Sequence, residues 1–148
     1  MKMSLTVNQA LRTIRRTVAA LPAVRRPLGD ARGCLLSEDV RAPYDLPGFT
    51  QSAMDGFAVR SADVRAASQT RPIVLTVTQI IAAGHLSRHR VKKGNAFAVM
   101  TGGALPAGAD AIIRIEDVVL KKDRLWVYAP AKRGQNVRAK GELLRRGA

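Results

Sequence analysis

The sequence predicts an α+β protein that is mainly β, with an amphipathic helix at the N-terminus and a small β-barrel-like module in its second half. Three observations indicate this fold class. Apolar residues recur at helical spacing near the N-terminus, a run rich in β-branched residues begins at position 73, and shorter apolar runs follow it, separated by Gly, Pro or Lys/Asp turns. Short strands at such spacings are typical of small β barrels and sandwiches.

The N-terminal helix is predicted over roughly residues 7 to 20. Thr6 and Gln9 form a capping-box pattern at its start, and Pro22 ends it. Apolar residues fall on one helical face and arginines on the other; they are Val7, Ala10, Leu11, Ile14, Val18 and Leu21, opposite Arg12, Arg15 and Arg16. This apolar stripe needs a partner surface.

Five strands are predicted in the second half of the chain. Ile73–Ile81 is longer than an average strand. The shorter strands are expected at 95–100, 111–115, 118–120 and 125–128.

Length and composition limit the class of protein. With 148 residues, 47% of them hydrophobic, the chain forms one ordinary domain or two small lobes. No apolar run approaches the roughly 20 residues that cross a bilayer, and the N-terminus lacks a secretory pattern, so we expect a soluble, cytoplasmic protein. Cys34 is the single cysteine, which excludes an intrachain disulfide, and its leucine neighbours favour an inert thiol.

The formal charge of +14 would attract polyanions or anionic small molecules. Basic residues are spread along the whole chain, and only Trp126 and Tyr128 lie near a basic cluster, so nucleic-acid binding is disfavoured. A zinc site is also disfavoured: His85 and His89 are four residues apart, but Gly84 precedes them and no third ligand is evident.

Segment 45–60, DLPGFTQSAMDGFAVR, is the most informative part of the chain. Its turn-forming residues and its two acids, Asp45 and Asp55, do not match an ordinary strand or helix, which indicates a loop that positions side chains. Asp55 precedes Gly56, so it is either part of a structural turn or a carboxylate that serves a site. Asp45 fits a cap or turn acceptor.

Segment 101–110, TGGALPAGAD, follows a predicted strand and contains three glycines. Its backbone N–H groups could form an anion-binding nest beside the Thr101 hydroxyl, or the segment could be a plain connection between strands. It lacks the Gly-Lys-Ser/Thr ending of a P-loop. Glu116 and Asp117 follow the next strand, where at most one of two adjacent side chains faces a given site.

Four blocks occur in one order: segment 45–60, Ala83-Gly84, MTGGALPAGAD at 100–110 and GQNVRAKGE at 134–142. In this order they resemble the molybdopterin molybdenumtransferases, the MoeA and gephyrin E-domain family. The resemblance runs from the N-terminal helix to the last residue, and the Ser-Ala-Met-Asp-Gly motif at 52–56 is its most specific part.

The resemblance implies an elongated, mostly β N-terminal region. It implies three parts: the helix and part of an elongated lobe at 1–48, a β-rich domain at 49–140, and the start of a return segment at 141–148. A separate molybdopterin-binding α/β domain, in a second chain or a downstream segment, would face this region, usually in a homodimer. The implied reaction inserts molybdate-derived metal into adenylylated molybdopterin and releases AMP, with Mg²⁺ present.

The resemblance also implies site residues. The implied catalytic residues are Asp55, Thr101 and Glu142, the substrate-binding residues are Ser52, Met54, Gly102 and Arg138, and the metal ligand is Asp55. The chemistry is reasonable, because carboxylates hold hydrated magnesium while Thr hydroxyl and backbone N–H groups bond oxyanions such as phosphate or molybdate.

The chain departs from the family pattern in three places. Leu143 stands where the family usually has Asp, Phe57 where it has Tyr, and Thr50-Gln51 where Asp-Asn is commoner. The sequence ends at Ala148, before the molybdopterin-binding domain, so the isolated chain is expected to be inactive. The alternative interpretation is a non-catalytic, basic binding or scaffold module that keeps the family's N-terminal fold.

Overall fold

The computed structural model describes residues 5–82 and 84–148. The chain divides into two units, one ending at Val40 and the other comprising Arg41–Ala148. The domain boundaries expected near residues 48 and 140 stay predictions. Residues 1–4 of the expected first domain, and Ala83 of the second block, lie outside the described residues. No helix in the described ranges is long and apolar enough to span a bilayer.

In residues 5–40, the described part of the first unit, there is one α-helix, α1, at Val7–Thr17. The predicted capping box is present: Thr6 Oγ1 accepts a hydrogen bond from the Gln9 N–H at 3.3 Å, and Gln9 Oε1 accepts one from the Thr6 N–H at 2.9 Å. The helix ends three residues earlier than predicted, and Val18 is extended. Thr17 and Val18 are both β-branched, which lowers their helix propensity and explains the early end.

The second unit is built on a curled six-stranded sheet whose strand order is β5-β2-β4-β3-β7-β6. The eight strands of the unit are β1 Gln51–Ser52, β2 Gly56–Val59, β3 Ile73–Ile81, β4 Asn95–Val99, β5 Ala111–Arg114, β6 Val118–Lys121, β7 Arg124–Val127 and β8 Val137–Arg138. β3 and β4 run parallel and the other pairs antiparallel. All five predicted strands form, each within one residue of its expected bounds, and the mainly β fold class with one N-terminal helix is confirmed.

The sheet contains one strand that the sequence did not predict. β2 lies inside segment 45–60, so the interpretation of that segment as lacking regular structure is wrong. All four residues of β2 are buried, and β4 and β5 pair with it on either side. The run Phe57–Val59 is short and apolar, as a fully buried strand requires, but the turn residues around it obscured the pattern.

The core has two layers, one on each face of the sheet. The larger layer draws on five strands, β2, β3, β4, β5 and β7, and on neighbouring loops; its buried members are Phe57, Val59, Val64, Ala67, Leu75, Ala96, Ala111, Ile113, Leu125, Val127 and Ala131. The smaller layer lies on the opposite face and is partly covered by Leu105, Ala109 and Val137; its buried members are Ala58, Ile81, Val91, Phe97, Val99 and Ile112. Successive side chains of a strand alternate between faces, so β2, β4 and β5 supply both layers.

The two ends of the second unit are held together. Leu46 forms a bridge with Leu144, and the Asp45 carboxylate accepts a 2.8 Å bond from the Arg146 N–H. Lys140 Nζ lies 3.4 Å from the other Asp45 oxygen. The Arg146 N–H, and to a lesser extent Lys140, hold the pKa of Asp45 below its ordinary value. Asp45 is therefore an acceptor for backbone N–H, as expected, but for a distant segment rather than for its own turn.

Candidate functional site

Three segments that are far apart in the sequence lie side by side in the second unit. β1 pairs with β8, which joins segment 50–56 to segment 134–142. The Ser52 N–H donates to the Gly103 carbonyl at 2.8 Å, and the Gly102 N–H donates to the Ser52 carbonyl at 2.9 Å. The structure therefore brings together the three motif segments that carry all the site residues implied by the sequence.

Asp55 and Thr101 are in direct contact at this junction. Asp55 Oδ1 accepts one hydrogen bond from the Thr101 N–H at 2.6 Å and a second from Thr101 Oγ1 at 2.7 Å. First the N–H and then the hydroxyl of Thr101 lower the pKa of Asp55 below its ordinary value. The carboxylate is exposed to solvent and ionised at neutral pH. Its side chain bonds a residue 46 positions away, which a simple Asp-Gly turn does not explain.

The turn after β4 is not an anion-binding nest. Three successive N–H groups already have acceptors within the chain; Thr101, Gly102 and Gly103 donate to Asp55 Oδ1, Ser52 O and Met100 O, respectively. A nest needs N–H groups that are free to meet an anion, so this hypothesis is wrong. Gly102 adopts a φ of +78°, which explains the glycine at that position.

The Asp55–Thr101 pair presents hydrogen-bond acceptors. The Thr101 hydroxyl proton is used in the bond to Oδ1, and among the described residues no donor bonds Asp55 Oδ2. The atoms of the pair that can still accept a hydrogen bond or bind a cation are Asp55 Oδ2 and, through its lone pairs, Thr101 Oγ1. In this arrangement the pair favours a cation or an N–H donor over a bare anion.

Ser52 and Met54 form the loop that leads to Asp55. Ser52 is 1% exposed, its hydroxyl donates to the Met54 carbonyl, and the Met54 N–H returns a 3.3 Å bond to the same oxygen. The Ser52 hydroxyl thus closes a tight turn through its two hydrogen bonds to the Met54 backbone. The structure explains how these residues shape the loop, while a direct contact of either with substrate stays a prediction.

Arg138 and Glu142 lie on the third segment. Arg138 is exposed and pairs with Gln51 across the β1–β8 ladder. Glu142 Oε2 accepts a 2.8 Å bond from the Ala139 N–H and so closes its own turn. Within the described ranges neither side chain bonds to Asp55 or Thr101. Leu143, at the position where an acid was expected, is 67% exposed.

Sequence reasoning did not give the structural roles of two residues that build the site. A Cβ atom at Gly56 would overlap the carbonyl oxygen of Ile113 on β5, so only glycine fits. Asn136 adopts a positive φ of 54°, accepts the Ala53 N–H through its carbonyl, and donates its side-chain amide to Ile112 O at 3.0 Å. The Gly-x-Asn pattern at 134–136 was a usable signal, because Asn tolerates this backbone region.

A depression in the described surface lies elsewhere. It has a volume of about 460 Å³ and none of the implied site residues lines it. Ile113, Glu116, Val118 and Tyr128 are among its lining residues, which places it beside the ends of β5 and β6. The Asp55–Thr101 pair lies instead on the exposed surface. In the described ranges no three His, Cys, Asp or Glu side chains are grouped to hold a metal.

Comparison with known proteins identifies the family. The model of the MoeA N-terminal region, domains I and II, matches residues 5–148. The chain belongs to this family. The match covers both units of the fold and all three segments of the site, and it confirms the resemblance recognised in the sequence motifs.

Curated members of the MoeA family show how much of a longer protein the chain represents. It is 44% identical over 149 residues to the molybdopterin molybdenumtransferase of Synechococcus elongatus, covering 99% of this chain and 37% of the relative. It is 34% identical to the enzyme of the same name from Staphylococcus aureus, covering 95% of this chain and 34% of the relative. The chain thus spans about a third of the length of these relatives.

Solved MoeA structures agree with the fold. A crystal structure of the molybdopterin biosynthesis moeA protein from Pyrococcus horikoshii OT3 superposes with a TM-score of 0.78 at 37% identity, covering 83% of this chain and 32% of that one. A second crystal structure, of a molybdopterin biosynthesis moea protein from Pyrococcus horikosii, gives a TM-score of 0.74 at 31% identity, covering 98% of this chain and 37% of that one.

Proposed function

We propose that this chain supplies the N-terminal part of a molybdopterin molybdenumtransferase that acts in the cytoplasm. The reaction proposed is insertion of molybdate-derived metal into adenylylated molybdopterin, with release of AMP. The observation that carries the proposal is the contact between Asp55 and Thr101, two residues from separate family motifs that form one exposed, ionised pair. The names of the relatives support the reaction class.

Asp55 would hold magnesium through Oδ2. Magnesium in proteins is commonly bound by one or two carboxylates, keeps several waters and takes further oxygens from substrate phosphates. One exposed carboxylate oxygen without a donor among the described residues fits this pattern, whereas a site made only of protein ligands does not. When bound, the ion would neutralise negative charge on the phosphates of the adenylylated substrate.

Thr101 would keep the Asp55 carboxylate in place. Its N–H and hydroxyl fix Oδ1, which leaves the other oxygen as the ligand, and they favour the ionised form that a metal ion requires. Thr101 and Gly102 would also border the substrate. The oxyanion role first expected for Thr101 is therefore replaced by a positioning role in this proposal.

Arg138 would contact the substrate from the β1–β8 ladder, and Glu142 would support it from the turn that follows β8. The exposed Arg138 guanidinium is suited to a phosphate or molybdate oxygen, because it provides several donors in one plane. Glu142 would order the turn at 139–142 beside it, through its bond to the Ala139 N–H. The molybdopterin-binding domain, in a homodimer, would supply the rest of the pocket.

A chimaeric enzyme tests the proposal. This chain would replace the matched N-terminal region of the Synechococcus relative, and the chimaera would be expressed in cells that lack their own molybdopterin molybdenumtransferase. We expect restored activity of a molybdenum-dependent reporter enzyme. Asp55→Asn should abolish the restoration, and Thr101→Val should lower it by weakening the hold on Asp55.

Asp123→Asn is the matched control, because Asp123 is an exposed acid in the β6–β7 turn. This substitution removes the same charge and should leave the restoration intact. The chimaera would be tested with Leu143 and with Leu143→Asp. If both versions fold and neither restores activity of the reporter enzyme, the proposed function is contradicted. Full activity of the Asp55→Asn chimaera would contradict the role of Asp55 alone.

A binding or scaffold module is the second candidate. The charge of +14 and the exposed Leu143, at the position where the family usually carries an acid, favour it. This candidate predicts binding to a generic polyanion such as heparin that falls steeply with salt, together with a chimaera that folds but stays inactive. Salt-insensitive, weak binding would eliminate it.

A further inference from the structure

The turn before β8 lies along the outer edge of β5, which is an end strand of the six-stranded sheet. The Gly134 N–H donates to the Asp110 carbonyl at 2.7 Å. The Ile112 N–H donates to the Gln135 carbonyl at 2.9 Å. One residue after Gln135 comes Asn136, and directly after it the chain begins β8 and pairs with β1 instead. Asn136 is therefore the residue at which the chain leaves β5.

Asn136 bonds to two parts of the chain at once. Its side-chain Nδ2 donates to the Ile112 carbonyl at 3.0 Å, which extends the contact with β5. Its positive φ of 54° bends the backbone sharply, in a conformation that Asn tolerates better than most residues. The Asn136 carbonyl accepts the Ala53 N–H at 2.9 Å. The side chain thus holds β5 while the backbone holds the loop that leads to Asp55.

This loop, residues 52–55, is fastened to three parts of the chain, and we call it the site loop. The Ser52 N–H and carbonyl both bond to the turn after β4. The Asp55 carbonyl accepts the Ile115 N–H at 3.1 Å, directly after β5. Between these two points the Ala53 N–H bonds to the Asn136 carbonyl. The third segment of the site therefore holds the middle of the loop.

Two of these fastenings lead to β5. Ile115 follows β5 directly, and Asn136 is tied to Ile112 within it. Ala53 is two residues from Asp55, a span of at most about 7 Å, so a shift at Ala53 is passed on to the carboxylate. The turn after β4 fixes Oδ1 of that carboxylate. The direction of Oδ2 also depends on where the backbone of the site loop lies.

We propose that Asn136 is a positioning residue for Asp55, which acts by fastening the site loop to β5. Its effect reaches the Asp55 carboxylate through Ala53. The inference rests on the proposed function only in taking Mg²⁺ as the ion at Oδ2. Replacing a residue that supports a metal ligand without touching the metal commonly changes metal affinity by about 10- to 100-fold.

Two substitutions at Asn136 separate its side-chain bond from its backbone bend. Asn136→Gly permits the same φ and keeps the carbonyl but loses the amide. Asn136→Asp keeps the size of the side chain but places an oxygen, which cannot donate, against the Ile112 carbonyl. Lys122→Gly is the matched control, because Lys122 has nearly the same φ, 56°, in the β6–β7 turn at the other end of the sheet.

NMR spectra of the isotope-labelled chain measure the effect in two ways. The Thr101 amide proton reports its 2.6 Å bond to Asp55 Oδ1, and an Mg²⁺ titration followed at both residues gives the affinity at Oδ2. In both Asn136 variants we expect an upfield move of the Thr101 amide proton and an about tenfold weaker affinity for Mg²⁺. Lys122→Gly should change neither. Asp55→Asn should abolish the binding, which shows that the titration reports this carboxylate.

Two results would overturn the proposal. One is a wild-type position of the Thr101 amide proton, or an unchanged Mg²⁺ affinity, in both Asn136 variants. The other is an equal change in Lys122→Gly. Absence of Mg²⁺ binding by the wild type, together with a displaced Thr101 amide proton in the Asn136 variants, would instead support the positioning role and contradict Asp55 as the magnesium ligand. Thermal melting verifies that each variant is folded.

Discussion

The two halves of the sheet contrast in how they are covered. In the β5–β2–β4 half both faces are buried, and all four residues of β2 are inaccessible. In the β3–β7–β6 half one face joins the core. Apart from the end of β3, where Ile81 is buried in the smaller layer, the other face is more open, with Val74 and Val119 each 40% exposed. The difference comes from segments 100–109 and 134–137, which partly cover the first half.

These covering segments are also the ones that carry the candidate site. Thr101 lies at the start of one and Arg138 follows the other, while Asp55 immediately precedes β2 beneath them. The contacts that bury the second face therefore also fix the Asp55–Thr101 geometry. The covered half is built to position side chains, whereas the open half leaves much of one sheet face exposed.

The largest effect is expected from Gly56→Ala at the centre of the covered half. The added methyl group would overlap the Ile113 carbonyl and push β5 away from β2. We expect a loss of about 4 kcal/mol or more in the free energy of unfolding, measured by urea titration.

Gly29→Ala is the control for this substitution, since its Cβ meets no atom within 4 Å. A similar stability for both variants would show that β2 and β5 are not held at the close distance described here.

Truncation of one apolar side chain in each half sharpens the comparison. Ile112 is 0% exposed and Val74 is 40% exposed. Ile112→Ala should cost roughly 2–5 kcal/mol, because it leaves a cavity under the covering segments. Val74→Ala should change stability by only about 0.5 kcal/mol. Equal losses, measured by thermal and urea unfolding, would mean that the outer face of β3 is covered in solution.

The sequence predicted the open half better than the covered half. Ile73–Ile81 was expected with its observed bounds, because a long run of β-branched residues is a local signal that does not depend on partners. β2 was missed, because a four-residue strand buried on both faces shows no alternation and its Gly56 is explained only by the close approach of β5.

The site shows the same division between local and distant information. The motif order identified Asp55 and Thr101 as site residues, and the structure places them in contact. The proposed nest failed because the acceptors of its N–H groups include Ser52 and Asp55, from another segment. A local sequence pattern gives the donors of a turn but not their tertiary acceptors.

The smallest expected effect is the pH dependence of the Asp55–Thr101 contact. The folded-state pKa of Asp55 lies below its ordinary value of 3.8, so the ionised carboxylate stabilises the fold at pH values above that value. This contribution is lost as the pH falls through the lowered pKa. Asp55 stays ionised from pH 7 to 5, so the stability difference between the wild type and Asp55→Asn should be constant in that range. Protonated Asp and Asn are both neutral and both accept from Thr101, so the difference should vanish in strong acid. Thr101→Val should reduce the difference wherever Asp55 is ionised. Urea titrations at each pH measure the difference, and one that grew on acidification would mean that Asp55 is bound more tightly when protonated.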